Sequence, residues 1–274
     1  VLEPARVELS AGRRVVLRPI EAEDDGFILD TAGDRPGARA TALVGRCLNE
    51  GEAAARALAV GDREAVLLHL RRLTFGESME CLLRCPVPAC AEPLELTLRV
   101  SDLLAPAERD AGAIGELSAD IDGAHFVVSF RRPTAGDLDE AAALASTDAD
   151  AAGRFVLERC LIHAARDRAS IPLSAMPEAL RSAVEDAMAA RDAQAEIVLA
   201  MSCPSCGAAF SASFDTATFL LRELDERATR TLREVHALAQ HYHWSEVEIL
   251  RMPARRRAQY LELVRDSRAS GRSQ

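Results

Sequence analysis

Two cysteine pairs, each set between short alternating strands, divide this chain, and the segments leading up to each pair run in the same order. Val15–Pro19 reads VVLRP, and residues 127–133 read VVSFRRP. Each is followed by an acidic and then an alanine-rich stretch. Gly45-Arg46-Cys47-Leu48 is matched by Glu158-Arg159-Cys160-Leu161, and DREAVLLHL (62–70) by MPEALRSAV (176–184). Cys85-Pro-Val-Pro-Ala-Cys90 is then matched by Cys203-Pro-Ser-Cys206. The separations are 114 residues from Pro19 to Pro133, 113 from Cys47 to Cys160 and 116 from Cys90 to Cys206. Landmarks in one order at a nearly constant offset indicate a duplicated unit, which restricts the fold more than any local propensity does.

Each copy opens with a Val- and Phe-rich strand, 13–18 and 125–131. Two helical stretches follow in each, 21–31 and 37–49, then 135–146 and 151–164. A third helix covers 62–73, and its counterpart covers 175–190 with Ser174 as N-cap. Strands over 77–84 and 94–100 flank the first cysteine pair, and strands over 197–201 and 210–214 flank the second. In all four, apolar residues alternate with period two. The small, charged stretch 105–122 reads as a connector. Beyond it, residues 216–243 have helical spacing. Ser245 and Glu248 fit a capping box, and Pro253 suits the first turn of a last helix over 253–267. The expected class is α+β: two duplicated helix-plus-zinc-knuckle hairpin units, then an all-helical C-terminal segment. The expected boundaries are 1–104, 105–122 as connector, 123–221 and 222–274.

A tight turn between two strands brings paired thiolates to one side, and two such turns supply the four ligands of a closed tetrahedral zinc site. Cys85, Cys90, Cys203 and Cys206 are therefore the expected ligands of one structural zinc ion. The second pair has the short spacing and Gly207 after it. The first is longer by two residues and has Ala91 in that place, so it is the weaker half. The alternative is a set of reduced turn cysteines without metal. Cys47, Cys81 and Cys160 sit beside leucines in helix or strand patterns and read as small buried hydrophobes.

Seven cysteines is an odd count, and Val1 to Ile20 lacks the apolar stretch of an export signal. A reducing, cytoplasmic setting is the expectation. No apolar run approaches the roughly 18 residues of a membrane span. The net charge of −10 excludes a wholly basic nucleic-acid coat, and 4% aromatic residues leave little for base stacking. The chain lacks the phosphate-cradling, dinucleotide, nucleophile-elbow and zinc-protease motifs, and no catalytic residue is assigned. The runs Glu21–Asp25 and Asp137–Glu140 read as solvated helix starts, which suit the helix dipole. His241 and His243, around Tyr242 and before Trp244, read as helix-end residues; a second metal site or a pH switch is the rival. From Arg251 to Gln274 there are seven arginines and two acids. That end is read as a solvated or intramolecular helix, as a dock for an acidic protein, or as a nucleic-acid contact. The residues assigned to partner contact are Trp244, Arg255, Arg256 and Arg257.

Several of these segments together resemble a known family. Leu17-Arg18-Pro19, Gly45–Leu48, Gly61-Asp62-Arg63-Glu64, LLHLRRLTFGE (67–77) and the Cys85/Cys90 turn followed by LELTLRVSDL resemble the baseplate hub assembly proteins of T-even-type contractile-tailed phages and of phage-derived contractile injection systems. The resemblance is best over 15–104 and is echoed over 127–221. The ending HYHWSEVEILRMPARRRAQYLEL is similar to a segment of proteins from contractile tail and injection clusters. It implies a non-enzymatic structural or assembly role, with other baseplate, hub or spike proteins as partners and no small-molecule substrate. It also implies a cytoplasmic location during assembly or a place in a phage-tail-like particle. The rival readings are a zinc-ribbon nucleic-acid accessory protein and a zinc-dependent hydrolase or deaminase.

Overall fold

The computed structural model describes residues 4–106 and 112–270. The strands, in chain order, are β1 (Ala5–Glu8), β2 (Arg14–Leu17), β3 (Ser78–Arg84), β4 (Pro93–Arg99) and β5 (Ile114–Ile121). They continue with β6 (Ala124–Arg131), β7 (Leu161–Arg166), β8 (Ala169–Ser170), β9 (Ile197–Ser202) and β10 (Ala209–Phe214). The helices are α1 (Asp25–Asp30), α2 (Pro36–Cys47), α3 (Gly51–Arg56), α4 (Val60–Phe75), α5 (Val100–Leu103) and α6 (Ala135–Ala145). Then come α7 (Ala149–Cys160), α8 (Glu178–Ala190), α9 (Thr216–Tyr242), α10 (Glu246–Leu250) and α11 (Ala254–Ser270). They group into two units, Val1–Pro19 with Arg35–Ala217, and Ile20–Asp34 with Thr218–Gln274. Mixed helix and sheet is the α+β composition expected from the sequence.

In the larger unit, among the described residues, β1–β2, β3–β4 and β9–β10 are two-stranded antiparallel sheets, and β5–β6–β7–β8 is a four-stranded one. Strand β6 shows why the pattern works. Ala124, Phe126, Val128 and Phe130 alternate inward and are buried, as period-two geometry requires. They pack on Leu157 and Cys160 of α7 and on Leu180, Val184 and Met188 of α8, which recur every fourth residue along one helix face. Each large apolar side chain buried this way is worth about 1.5–3 kcal/mol. Asp148 caps α7 by accepting from the Ala151 N–H, and Thr134 with Asp137 forms a capping box on α6.

Helix α4 is buried on most sides, so its charged residues are satisfied internally. Asp62 accepts from the N–H and hydroxyl of Ser10 at 2.8 Å each. Arg63 pairs with Glu64 at 2.7 Å, and Arg71 donates to the carbonyls of Gly76 and Ser78. Gly61 donates its N–H to Asp192 at 3.0 Å. A Cβ at that position would lie 2.1 Å from the Asp192 Oδ1, so the contact requires glycine. His69, on the same helix, is held neutral. Burial, and then the neighbouring Arg72, push its pKa from 6.5 down to about 4, against the pull of Glu77. A base with a depressed folded pKa costs nothing above its unfolded pKa and costs progressively more as pH falls toward the folded one. Acidification from pH 7 to 5 should therefore remove up to about 2 kcal/mol, and His69→Gln should remove that sensitivity in urea titrations at the two pH values.

In the smaller unit, Arg227 of α9 donates to the Asp25 carboxylate and to the carbonyls of Ile20 and Glu21. Val235, Leu238 and Ile249 form a small core, lined by Tyr242, Trp244 and Tyr260. His243 ends α9 in the left-handed region (φ 58°), and its N–H bonds to the Ala239 carbonyl at 2.8 Å. The Ser245–Glu248 capping box forms as expected and opens α10.

The structure departs from the sequence reading at several places. Within the stretch read as a connector, Ile114–Ile121 is strand β5, paired along its whole length with β6; residues 107–111 of that stretch lie outside the described residues. Its Gly, Ser and Asp residues look turn-forming, but the open edge of β6 dictates pairing. The helix expected over 151–164 stops at Cys160. Leu161–Arg166 becomes β7 because it completes the other edge of β6. Ser174 lies in a short 3-10 turn and makes no cap; α8 begins after Pro177. Helix α3 was not foreseen. In addition, Ile20–Asp34, read as part of the first copy, groups with Thr218–Gln274.

Candidate metal centre

Two hairpins, β3–β4 and β9–β10, carry the cysteine turns. Both turns close with the same bond: the Cys85 N–H donates to the Glu92 carbonyl, and the Cys203 N–H to that of Ala208, each at 2.9 Å. In both, the residue after the second cysteine is left-handed, Ala91 at φ 47° and Gly207 at φ 72°. Glycine tolerates that region, whereas an L side chain there costs about 1–2 kcal/mol. Ala91→Gly should therefore stabilise the protein by roughly 0.5–1 kcal/mol, and Gly207→Ala should cost a similar amount. Thermal melts of the two variants check the opposite signs.

The turns place Cys85, Cys90, Cys203 and Cys206 together, with all four sulfurs within 4.8 Å of one another. The Cys85 and Cys206 sulfurs are 3.7 Å apart, and those of Cys90 and Cys203 are 3.8 Å apart. A tetrahedral ion with bonds of about 2.3 Å spaces its sulfurs at about 3.8 Å. A disulfide would bring them to about 2.05 Å. These two separations run between the hairpins, so an ion held here would clasp one hairpin to the other. Leu94, Leu83, Val87 and Phe210 pack around the cluster. Cys85 and Cys203 are buried, Cys90 is half-buried and Cys206 is exposed.

Backbone N–H groups point at the sulfurs, as thiolate stabilisation requires. The N–H of Cys206, with that of Ser205, pulls the Cys203 thiol down to about 7. At Cys85 the Val87 N–H also acts downward, but desolvation and the neighbouring thiols outweigh it and push the group up to about 12. Four thiols this close cannot all ionise unless a cation offsets their charge. The donor set thus fits a soft divalent metal, and with four thiolates zinc has a structural rather than a Lewis-acid role. Among the described residues no other group of His, Cys, Asp and Glu has such geometry, and His241 and His243 do not join one.

The remaining cysteines are placed as packing residues. Cys47 and Cys160 are buried and Cys81 is half-buried. Burial pushes the Cys160 thiol up to about 11. The residues assigned to partner contact divide. Arg255 and Arg256 are exposed, and Arg256 lies over the Tyr260 ring. Trp244 is half-buried, stacked on Tyr242 at 4.5 Å and edge-on to Tyr260 at 4.9 Å. Arg257 is only 5% exposed. It pairs with Glu234 at 3.0 Å and donates to the Met252 carbonyl, so it serves the unit's own packing and offers no surface to a partner.

One polar row was not read from the sequence. Ser118 meets His125 at 3.2 Å, and His125 meets Asp120 at 2.8 Å, all exposed on the β5–β6 hairpin. The connectivity is that of a nucleophile, base and orienting acid. The three residues lie on an open sheet surface. The signal was cross-strand register, Asp120 opposite His125, which appears only once β5 is known to be a strand.

Compared with known proteins, residues 10–221 match the family model described as T4 bacteriophage base plate protein. No curated protein and no solved structure matches the chain. Among the described residues, no helix is long and apolar enough to cross a membrane.

Proposed function

Because the chain belongs to the T4 bacteriophage base plate protein family, we propose that it is a non-enzymatic building part of a contractile baseplate, held in shape by one structural zinc ion. The observation that carries the zinc reading is the four-sulfur cluster assembled from two hairpin turns whose cysteines are at least 113 residues apart in sequence. Cys85, Cys90, Cys203 and Cys206 hold the ion. Its role is to fix the two hairpins as one rigid element that two-stranded sheets alone, marginal in water, do not provide.

The paired landmarks support descent of the larger unit from a duplicated segment. Leu48 bridges back to Leu17 as Leu161 does to Phe130, each just after its helix-ending cysteine. The copies diverge where α3 stands in one and β7–β8 in the other. A site in the hub, around the spike, is the specific position we propose, with other baseplate, hub and spike proteins as neighbours. The test is assembly. Deleting the gene from a cluster that makes contractile particles should leave tubes or sheaths without complete baseplates by electron microscopy, and the wild-type gene should restore them. Normal, fully contractile particles from the deletion strain would overturn the reading.

A further inference from the structure

Helices α6, α7 and α8 enclose an open groove of about 590 Å³ that the metal centre does not touch. Its α6 wall is Leu138, Ala141, Ala142 and Ala145, and α7 adds Gly153 and Val156. The alanines and the glycine keep the walls low, which lets a helical backbone approach to the usual 8–10 Å or so between packed axes. The surrounding charge is one-sided: α6, α7 and α8 carry eight acids against three arginines. Asp137, Asp139, Glu140 and Glu178 are offset by Arg131, Arg159, Arg56 and Arg181, but Glu185 lines the groove and Asp186 beside it is exposed.

We infer that this groove receives an amphipathic helix with basic flanks from another protein chain. Apolar side chains at i, i+3, i+4 and i+7 would enter over the alanine floor, the helix-in-groove mode of recognition. The charge selects the occupant. Two copies of this face brought together would set like charges against each other, which is costly, whereas arginine or lysine beside Glu185 and Asp186 is favoured. The inference is independent of the baseplate reading and of the zinc site.

The test uses the full-length, metal-replete protein and two labelled synthetic helical peptides. Both carry leucine at i, i+3, i+4 and i+7; one has arginine and the other glutamate at the flanking positions. Fluorescence anisotropy should show the arginine peptide binding at least about tenfold more tightly than the glutamate peptide, with affinity falling as salt rises. Gly153→Trp, which fills the groove from a position with open space around it, should weaken binding about tenfold or more. Glu185→Arg with Asp186→Arg should abolish the preference for arginine, while both variants keep the wild-type circular dichroism. No binding near roughly 1 mM peptide, equal binding of the two peptides, or no loss in the Gly153→Trp protein would overturn the inference. So would a wild-type dimer, seen by sedimentation, that Gly153→Trp dissolves, since the occupant would then be a second copy.

Discussion

Replacing Cys203 with serine should lower the melting temperature of this protein by roughly 10–20 °C and abolish the zinc binding we propose. Structural zinc sites contribute an apparent binding free energy on the order of 10 kcal/mol. The larger unit has its own core around β6, α7 and α8, so only part of that energy reaches the global transition. A loss of about 4–5 kcal/mol gives the stated shift for a chain of this size. The effect should be local first. In hydrogen exchange, amides of β3–β4 and β9–β10 should lose protection before those of β6, because a two-stranded hairpin without its clasp is marginal. Cys81→Ser is the matched control. Cys81 lies on β3 four residues before Cys85 and faces Leu96 across the hairpin, outside the sulfur cluster. That variant should keep its metal and lose only about 1 kcal/mol. If the Cys203 and Cys81 variants melt alike, the four sulfurs are packing residues and nothing more.

The second large effect is expected from Asp137→Ala, at about 3 kcal/mol. The Asp137 side chain is only 2% exposed. It accepts from Arg131 at 2.6 and 3.1 Å, from Arg159 at 3.0 Å, and from the N–H and hydroxyl of Thr134 at 2.9 Å each. One carboxylate thus joins the end of β6, the start of α6 and the last turn of α7. Removing it orphans the cap and leaves two guanidiniums facing each other. Both reach water, which places the cost at the lower end for a buried pair. Although desolvation opposes it, bonding to Arg131, Thr134 and Arg159 holds the Asp137 carboxyl well below the usual carboxylate range. A carboxyl with a depressed folded pKa gives its full stability above the unfolded value of about 3.9 and loses it as pH falls through the folded one. Wild-type protein should therefore lose stability below about pH 4 more steeply than the alanine variant. Chemical denaturation from pH 5 to 2 resolves the two slopes. A cost below about 0.5 kcal/mol would mean that the bonds do little net work.

Both cysteine hairpins were legible in the sequence because alternation, turn residues and the order of landmarks all pointed the same way. Their meeting was implied only by chemistry, since four thiolates make one closed site. The strands β5 and β7 were hidden for a physical reason. Ile114–Ile121 contains Gly115, Ser118 and Asp120, and Leu161–Arg166 continues directly from a helix. Neither segment has strong strand propensity, and each is a strand because β6 has two edges to satisfy. The buried charges of α4 were equally obscure. Nothing in the sequence marks Asp62, Arg63 and Glu64 as buried, and only the fold closes Ser10 and neighbouring elements over them. Arg257 misled in the same direction. A run of three arginines looks like a surface patch, but helical geometry turns one of the three inward to Glu234. The groove over α6 to α8 gave no sequence signal beyond alanine content, which alone says only helix.

The proposed zinc clasp fixes the two cysteine hairpins to each other, and metal analysis of the intact protein tests it most directly. Purified without chelators from cells grown in ordinary medium, the protein should carry about one zinc per chain by mass spectrometry of the metal. Cys203→Ser should carry almost none, and a strong chelator should strip the ion only as the hairpins open. Less than roughly 0.3 zinc per chain, together with a melting temperature that chelation leaves unmoved, would contradict it.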